Sequence, residues 1–303
     1  MVPFTELLVA VTLLQSSAPD SLRAALWARV TADSTDGGAW FEIGRAYVRV
    51  AAGYHTHRAS PDTAWARAVL DTAEQAFARA GRWSAGSRTA DSAVVYRVYA
   101  WGEKAYLAWE AEGADAASAV WQALPEALRL PPVLEELGEN LLRACPRRGI
   151  LLTADDADTQ AAWYMRFVRG LRPDLLILPL GRWRSDSVFR RRVLRDAKQR
   201  GATIAAFAER RPVCASMGFD RAPELRPRLR WTTRPLVWVA GPESKGDRVP
   251  PQDFVFAALR LALDQHATWS PPAIALYRRA AVMTSGLCGT LRTFGLREEV
   301  GCR

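Results

Sequence analysis

At 303 residues, 49% hydrophobic and 24% charged, the chain has the composition of a folded protein of one large or two ordinary domains, which excludes disorder as its main state. A chain of this length buries roughly three quarters of its unfolded surface, so neither a disulfide nor a metal is required to hold a core. The net charge of +9 is uneven, with 13 Lys and Arg against 17 Asp and Glu in residues 1–145 and 28 against 15 beyond. Only Lys104, Lys198 and Lys245 are lysines; the remaining cations are arginine, which suits bidentate pairing with carboxylates or phosphates but also follows from GC-rich coding. No zinc-finger, RNP-type or helix-turn-helix pattern accompanies them, so nucleic acid is not an expected partner.

Residues 2–14 are mostly apolar, with Leu7, Leu8, Val11 and Leu14 among them, and Ser16-Ser17-Ala18 follows as a small-residue cleavage site. Residues 1–18 therefore read as a signal peptide, or as a retained tether on a membrane surface or in a partner's groove. About 20 residues are needed to span a bilayer, and this run falls short. The expected location is extracytoplasmic (periplasmic) and membrane-associated.

Residues 19–145 are expected to form a helical domain. Trp40-x-x-Ile43-Gly44-x-x-Tyr47 and Ala73-x-x-x-Phe77-x-x-Ala80 resemble the two helices of a tetratricopeptide repeat, with a glycine where helices approach closely. Between them lies an insertion containing His55 and His57. A second pair carries Val98, Trp101, Gly102 and Ala105, then Ala116, Val120 and Leu124, and residues 135–144 supply another helix. About three repeats are needed to bury solenoid faces, so this half is expected to pack on the next. The twelve tryptophans, scattered from Trp27 to Trp269, are expected mainly in the core, with some as contact anchors.

Residues 146–303 change pattern. The apolar runs 149–153 and 175–180 flank a helix expected over 156–169, which describes a βαβ unit with buried parallel strands. A helix over 187–199, further strands near 212–215 and 235–239, and closing helices over 253–266 and 272–291 complete the outline. The expected fold class is α/β, mostly helical overall: tetratricopeptide-like helices packed on a Rossmann-like parallel sandwich. The four cysteines show no Cys-x-x-Cys, which excludes a ribbon-type zinc site. Outside the cytoplasm they permit two disulfides; Cys288 with Cys302 closes a loop of about 14 residues and is the favoured pair, with free buried thiols as the other reading.

Thr153-Ala154-Asp155-Asp156-Ala157-Asp158-Thr159, then Trp163-Tyr164, then Arg172-Pro173-Asp174 resemble the soluble tail of a bacterial membrane-protein family similar to protein O-mannosyltransferases. Arg211-Pro212-Val213 and Pro235-Leu236-Val237-Trp238 match later strands of that tail. The resemblance covers residues 145–245; Ala154 stands where the family has glycine and Asp156 where it has asparagine. It implies a fold and an extracytoplasmic position, and not a transferase, because the multi-pass membrane part is absent from this chain.

Asp155, Asp156, Asp158 and Thr159 fall at the carboxyl end of the first strand. They can cap the following helix, or bind Ca²⁺, Mg²⁺ or sugar hydroxyls. His55 and His57 would share a face in an extended segment, yet two ligands are too few for a metal site. No nucleophile elbow, phosphate loop or Cys-His pair is present, so the protein is not expected to be an enzyme or to hold a cofactor. Arg182, Arg184, Arg190, Arg191, Arg192, Arg195 and Lys198 form a basic surface for anionic headgroups or an acidic partner. The expected function is a non-enzymatic scaffold or accessory subunit contacting integral membrane subunits, in a bioenergetic assembly such as a photosynthetic reaction centre with its antenna. The alternative is an extracytoplasmic glycan-binding or glycosyl-transfer-associated protein.

Overall fold

The structure is a computed structural model that describes residues 20–56, 63–199, 201, 203–242 and 247–302. It is mostly helical with one small mixed sheet. Two compact units separate, Met1–Val120 with Leu124–Arg129, and Trp121–Ala123 with Leu130–Arg303. No described helix is long and apolar enough to cross a membrane.

The first unit contains α1 (Asp20–Ala32), α2 (Gly37–Thr56), α3 (Thr63–Trp83), α4 (Arg88–Glu112) and most of α5 (Ala114–Gln122). Asp36 starts α2: its carboxylate accepts the Ala39 amide at 2.8 Å, which holds its pKa below the ordinary value, and Arg29 pairs with it at 2.7 Å. At Gly44 a Cβ would lie 2.6 Å from the Phe77 ring, so only glycine lets α2 and α3 approach this closely. Trp40, Ile43, Tyr47, Leu70 and Phe77 share one buried cluster, and Phe41, Phe77 and Tyr96 meet edge-on or tilted at 5.3–5.6 Å. The expectation differs at two points. His55 lies in the last turn of α2, because the helical pattern runs on through Thr56, so the extended spacing that would pair it with His57 is not adopted there; His57 lies outside the described residues. Leu124 lies past the end of α5.

The second unit begins with α6 (Pro132–Ala144) and continues through β1 (Ile150–Thr153), α7 (Asp156–Phe167) and β2 (Leu176–Pro179). Then come α8 (Leu180–Ser185), α9 (Ser187–Asp196), α10 (Ile204–Ala208), β3 (Val213–Ser216), β4 (Thr232–Arg234) and β5 (Val237–Ala240). It closes with α11 (Ala257–Asp264), α12 (Ser270–Met283) and α13 (Ser285–Thr293). The strand order is β2-β1-β3-β5-β4, with Leu151 beside Ile177 on one side and Cys214 on the other. β1 and β3 are buried along their whole length, which is why they read as unbroken apolar runs.

The sheet corrects the expectation of an all-parallel sandwich. β2, β1 and β3 are parallel, but β5 runs antiparallel to β3 and β4 antiparallel to β5. The cause lies in the links: parallel neighbours need a long crossover, whereas Pro235 and Leu236 alone join β4 to β5 as a hairpin, with Leu236 at φ 66°. The closing helices also differ. Pro250 and Pro251 delay the first to Ala257, and the second breaks at Thr284, an extended residue between α12 and α13. α9 ends at Asp196, and Lys198 takes φ 50° just beyond it.

α6 organises this unit. A Cβ on Gly138 would sit 2.4 Å from the Ala161 carbonyl oxygen, so α6 and α7 touch backbone to backbone. Glu136 accepts the Ala258 and Leu259 amides at 2.7 and 3.0 Å, capping α11 from a neighbouring helix in place of a local cap. Asn140 donates to the Val255 carbonyl at 2.6 Å and to the Tyr277 hydroxyl at 3.1 Å.

Candidate functional site

The order β2-β1-β3 makes the chain leave β1 toward β2 and return to β3 on the other side, and open sheets bind ligands outside the carboxyl ends of strands at such a reversal. A cavity of about 270 Å³ lies there, lined by Asp155, Asp158, Gly218, Asp220, Arg279 and an apolar wall that includes Leu276. Asp155 is the N-cap of α7: its carboxylate accepts the Ala157 amide at 2.9 Å and the Asp158 amide at 3.2 Å. Asp158 reaches back to the Ala154 and Asp155 amides, completing a reciprocal cap. Asp158 and Ser216 are buried, and the Ser216 hydroxyl donates to the Asp158 carboxylate. Thr159 donates to Thr153 at 2.7 Å beside them. Asp156 is exposed on the first turn of α7.

Burial and the neighbouring Asp155 charge push the Asp158 carboxyl up to about 7, against three hydrogen bonds that pull it down. From the ordinary 3.8 up to about 7, the unfolded chain has released this proton and the folded chain has not, so folding stability falls as pH rises through that window. Glu136, lifted by burial from 4.5 to about 7, acts in the same direction. Asp158→Asn is expected to remove about one proton from that slope. Urea unfolding measured from pH 4 to 7 checks this, and an unchanged slope in the variant would contradict it.

Asp155 and Asp158 are thereby engaged by backbone amides, and among the described residues no group of three His, Cys, Asp or Glu is placed to hold a metal ion. Asp155 and Asp158 thus take the helix-capping role that the sequence offered beside ligand binding. The other motif residues also have structural partners. The Trp163 indole donates toward the Ile177 carbonyl at 3.4 Å, and Tyr164 packs edge-on against Trp121 at 6.4 Å. Arg172 donates to the carbonyls of Leu142 (2.7 Å), Cys145 (2.9 Å) and Pro146 (3.2 Å), and pairs with Asp174 at 2.9 Å. Asp174 accepts the Arg148 amide at 2.7 Å.

The cationic residues lie on α8, α9 and the turn after it. Arg184, Arg191, Arg195 and Lys198 are exposed; Arg182, Arg190 and Arg192 are half-buried. Asp186 caps α9 through the Val188 and Phe189 amides, each at 2.9 Å. Of the tryptophans with described side chains, Trp83 is exposed, Trp27, Trp65, Trp101, Trp231 and Trp269 are half-buried, and the other six are buried. Leu7, Leu8, Val11 and Leu14 lie outside the described residues. Cys288 is joined to Cys302 and Cys145 to Cys214, with no free cysteine among the described residues. Sequence reasoning did not single out Ser216, Gly218, Asp220 or Arg279. Arg279 meets Asp220 at 2.7 Å across 59 positions, and no local pattern announces such a pair.

No family model, curated protein or solved structure matches the chain. The class that fold and site define is a mostly helical α/β protein with a carboxylate-lined cavity and a basic helix.

Proposed function

We propose that the protein is a non-enzymatic, extracytoplasmic accessory subunit that docks on integral membrane subunits, with tetratricopeptide-like helices preceding a Rossmann-like domain akin to the mannosyltransferase-like tail. The observation that carries this reading is the solvent-facing cationic surface of α9 and its following turn, Arg191, Arg195 and Lys198. Two disulfides with no free cysteine among the described residues support an oxidising compartment. Exposed cations attract an anionic surface or acidic partner, and such attraction is screened within about 10 Å at 0.1 M salt. The triple variant Arg191→Glu, Arg195→Glu, Lys198→Glu is expected to elute from native membranes at low salt, whereas the parent requires several hundred millimolar. Equal retention of the two proteins would remove the basic face from the docking surface.

A second reading, glycan binding, is favoured by one observation, the cavity of about 270 Å³ whose lining includes Asp155, Asp220 and the apolar Leu137 and Leu276. Carboxylates accept from vicinal sugar hydroxyls. Glycan-array binding abolished by Asp220→Ala would support it over docking.

A further inference from the structure

We infer that the pocket between α8, α9 and the 224–226 segment binds a phosphate monoester carrying an apolar body. The inference goes beyond the docking reading above: none of Arg191, Arg195 and Lys198 lines this pocket. The pocket measures about 420 Å³ and is lined by Arg184, Arg190, Arg226 and Thr203 above an apolar floor that includes Leu180, Trp183 and Ile204. That volume falls within the range of small-molecule sites, roughly 300–1,000 Å³, whereas the strand-end cavity falls below it.

The three guanidinium groups differ from those arginines of this chain that pair closely with carboxylates. Arg29, Arg97, Arg169 and Arg172 hold carboxylates at 2.6–2.9 Å. Arg184, Arg190 and Arg226 have no carboxylate partner among the described residues. The one carboxylate in the lining, Glu224, leans toward Arg221 at 3.5 Å. Arg190 is fixed by donating one Nη to the Trp183 carbonyl at 2.6 Å, and Arg184 by donating to the Glu224 carbonyl at 2.8 Å. These bonds hold the two side chains in place while leaving their charge uncompensated. Three uncompensated cations exceed what one carboxylate can pair with, and a dianionic tetrahedral phosphate accepts from several guanidinium forks at once. The apolar floor, with Leu180, Trp183 and Ile204 all buried, calls for a ring or chain attached to that phosphate and not for the bare ion.

The same chemistry occurs in a soluble organic phosphate and in the headgroup of phosphatidic acid. The test uses the full chain, with phenyl phosphate followed by calorimetry and phosphatidic acid vesicles followed by co-sedimentation. Phenyl phosphate is expected to bind, and to bind more tightly than inorganic phosphate. Arg226→Gln touches no other described side chain through a hydrogen bond or ion pair, and is expected to weaken binding about tenfold at an unchanged thermal midpoint. Vesicle binding that phenyl phosphate displaces assigns the pocket to the lipid headgroup; vesicles that do not bind, with phenyl phosphate bound, assign it to a soluble ligand. No heat with phenyl phosphate, equal affinity in Arg226→Gln, or vesicle binding that phenyl phosphate cannot displace would each overturn the site. Failure here leaves co-purification with membrane subunits untouched, so it is distinguishable from failure of the accessory-subunit reading.

Discussion

Replacing Cys145 and Cys214 together by alanine is expected to lower the folding free energy by about 4 kcal/mol, the largest effect of any change considered. The bond closes a loop of 69 positions, and restricting an unfolded chain over that length contributes about 4 kcal/mol in the chain-entropy account. Both residues are buried: Cys145 ends α6, and Cys214 sits in β3 beside Leu151 of β1. The bond therefore fastens the helix that organises the second unit to the middle of its sheet. Cys288–Cys302 closes only 14 positions, for which the same account gives about 3 kcal/mol. Against a total stability of roughly 5–15 kcal/mol, loss of the longer bridge is severe. Urea unfolding of the two double-alanine variants checks the order. A loss below about 1 kcal/mol for the Cys145–Cys214 pair would show that the sheet is held without it.

Arg172→Ala is expected to destabilise the chain by roughly 2–4 kcal/mol, because it removes one side chain that serves three carbonyls and a carboxylate. Those carbonyls belong to the end of α6 and the turn into β1, where the helix leaves acceptors unpaired. A second consequence concerns pH. The Arg172 guanidinium and the Arg148 amide hold the Asp174 carboxyl down to about 2. A carboxyl depressed by folding contributes stability above its ordinary 3.8 that is lost as pH falls toward 2. In Arg172→Ala, Asp174 returns toward its ordinary value, so the acid limb between pH 4 and 2 becomes shallower as well as lower. Arg172→Lys keeps the charge but not the planar fork, and should fall between parent and alanine variant. Urea midpoints at pH 7 and pH 3 for the three proteins decide it; a uniform loss at both would assign Arg172 a packing role alone.

Local chemistry made part of this legible. The runs 149–153 and 175–180 gave β1 and β2 because strands buried on both faces carry no polar alternation, and Asp155 marked the start of α7 because a carboxylate there satisfies free amides. Gly44 and Phe77 pointed to a close helix pair, which the 2.6 Å approach at Gly44 explains. Strand direction beyond β3 was not legible. It depends on a link without a helix and on a two-residue turn, and apolar runs look alike in either direction. The break at Thr284 escaped because apolar periodicity continues through it. The arginine pocket escaped for a different reason: Arg184, Arg190, Thr203 and Arg226 come from separate elements, and only folding brings them together. Helix capping by the 155–159 loop was legible because carboxylates at a helix start accept free amides, whereas the carbonyls that Arg172 serves, 26 to 30 positions back, were not.

The measurement that bears most directly on the accessory-subunit proposal is purification from native membranes in gentle detergent at low salt, followed by native electrophoresis and mass spectrometry of each band. Stoichiometric co-migration of this chain with integral membrane subunits, lost in the Arg191→Glu, Arg195→Glu, Lys198→Glu variant, is the predicted result. A chain that runs only as a free soluble species, with no membrane subunit in its band, would contradict the proposal.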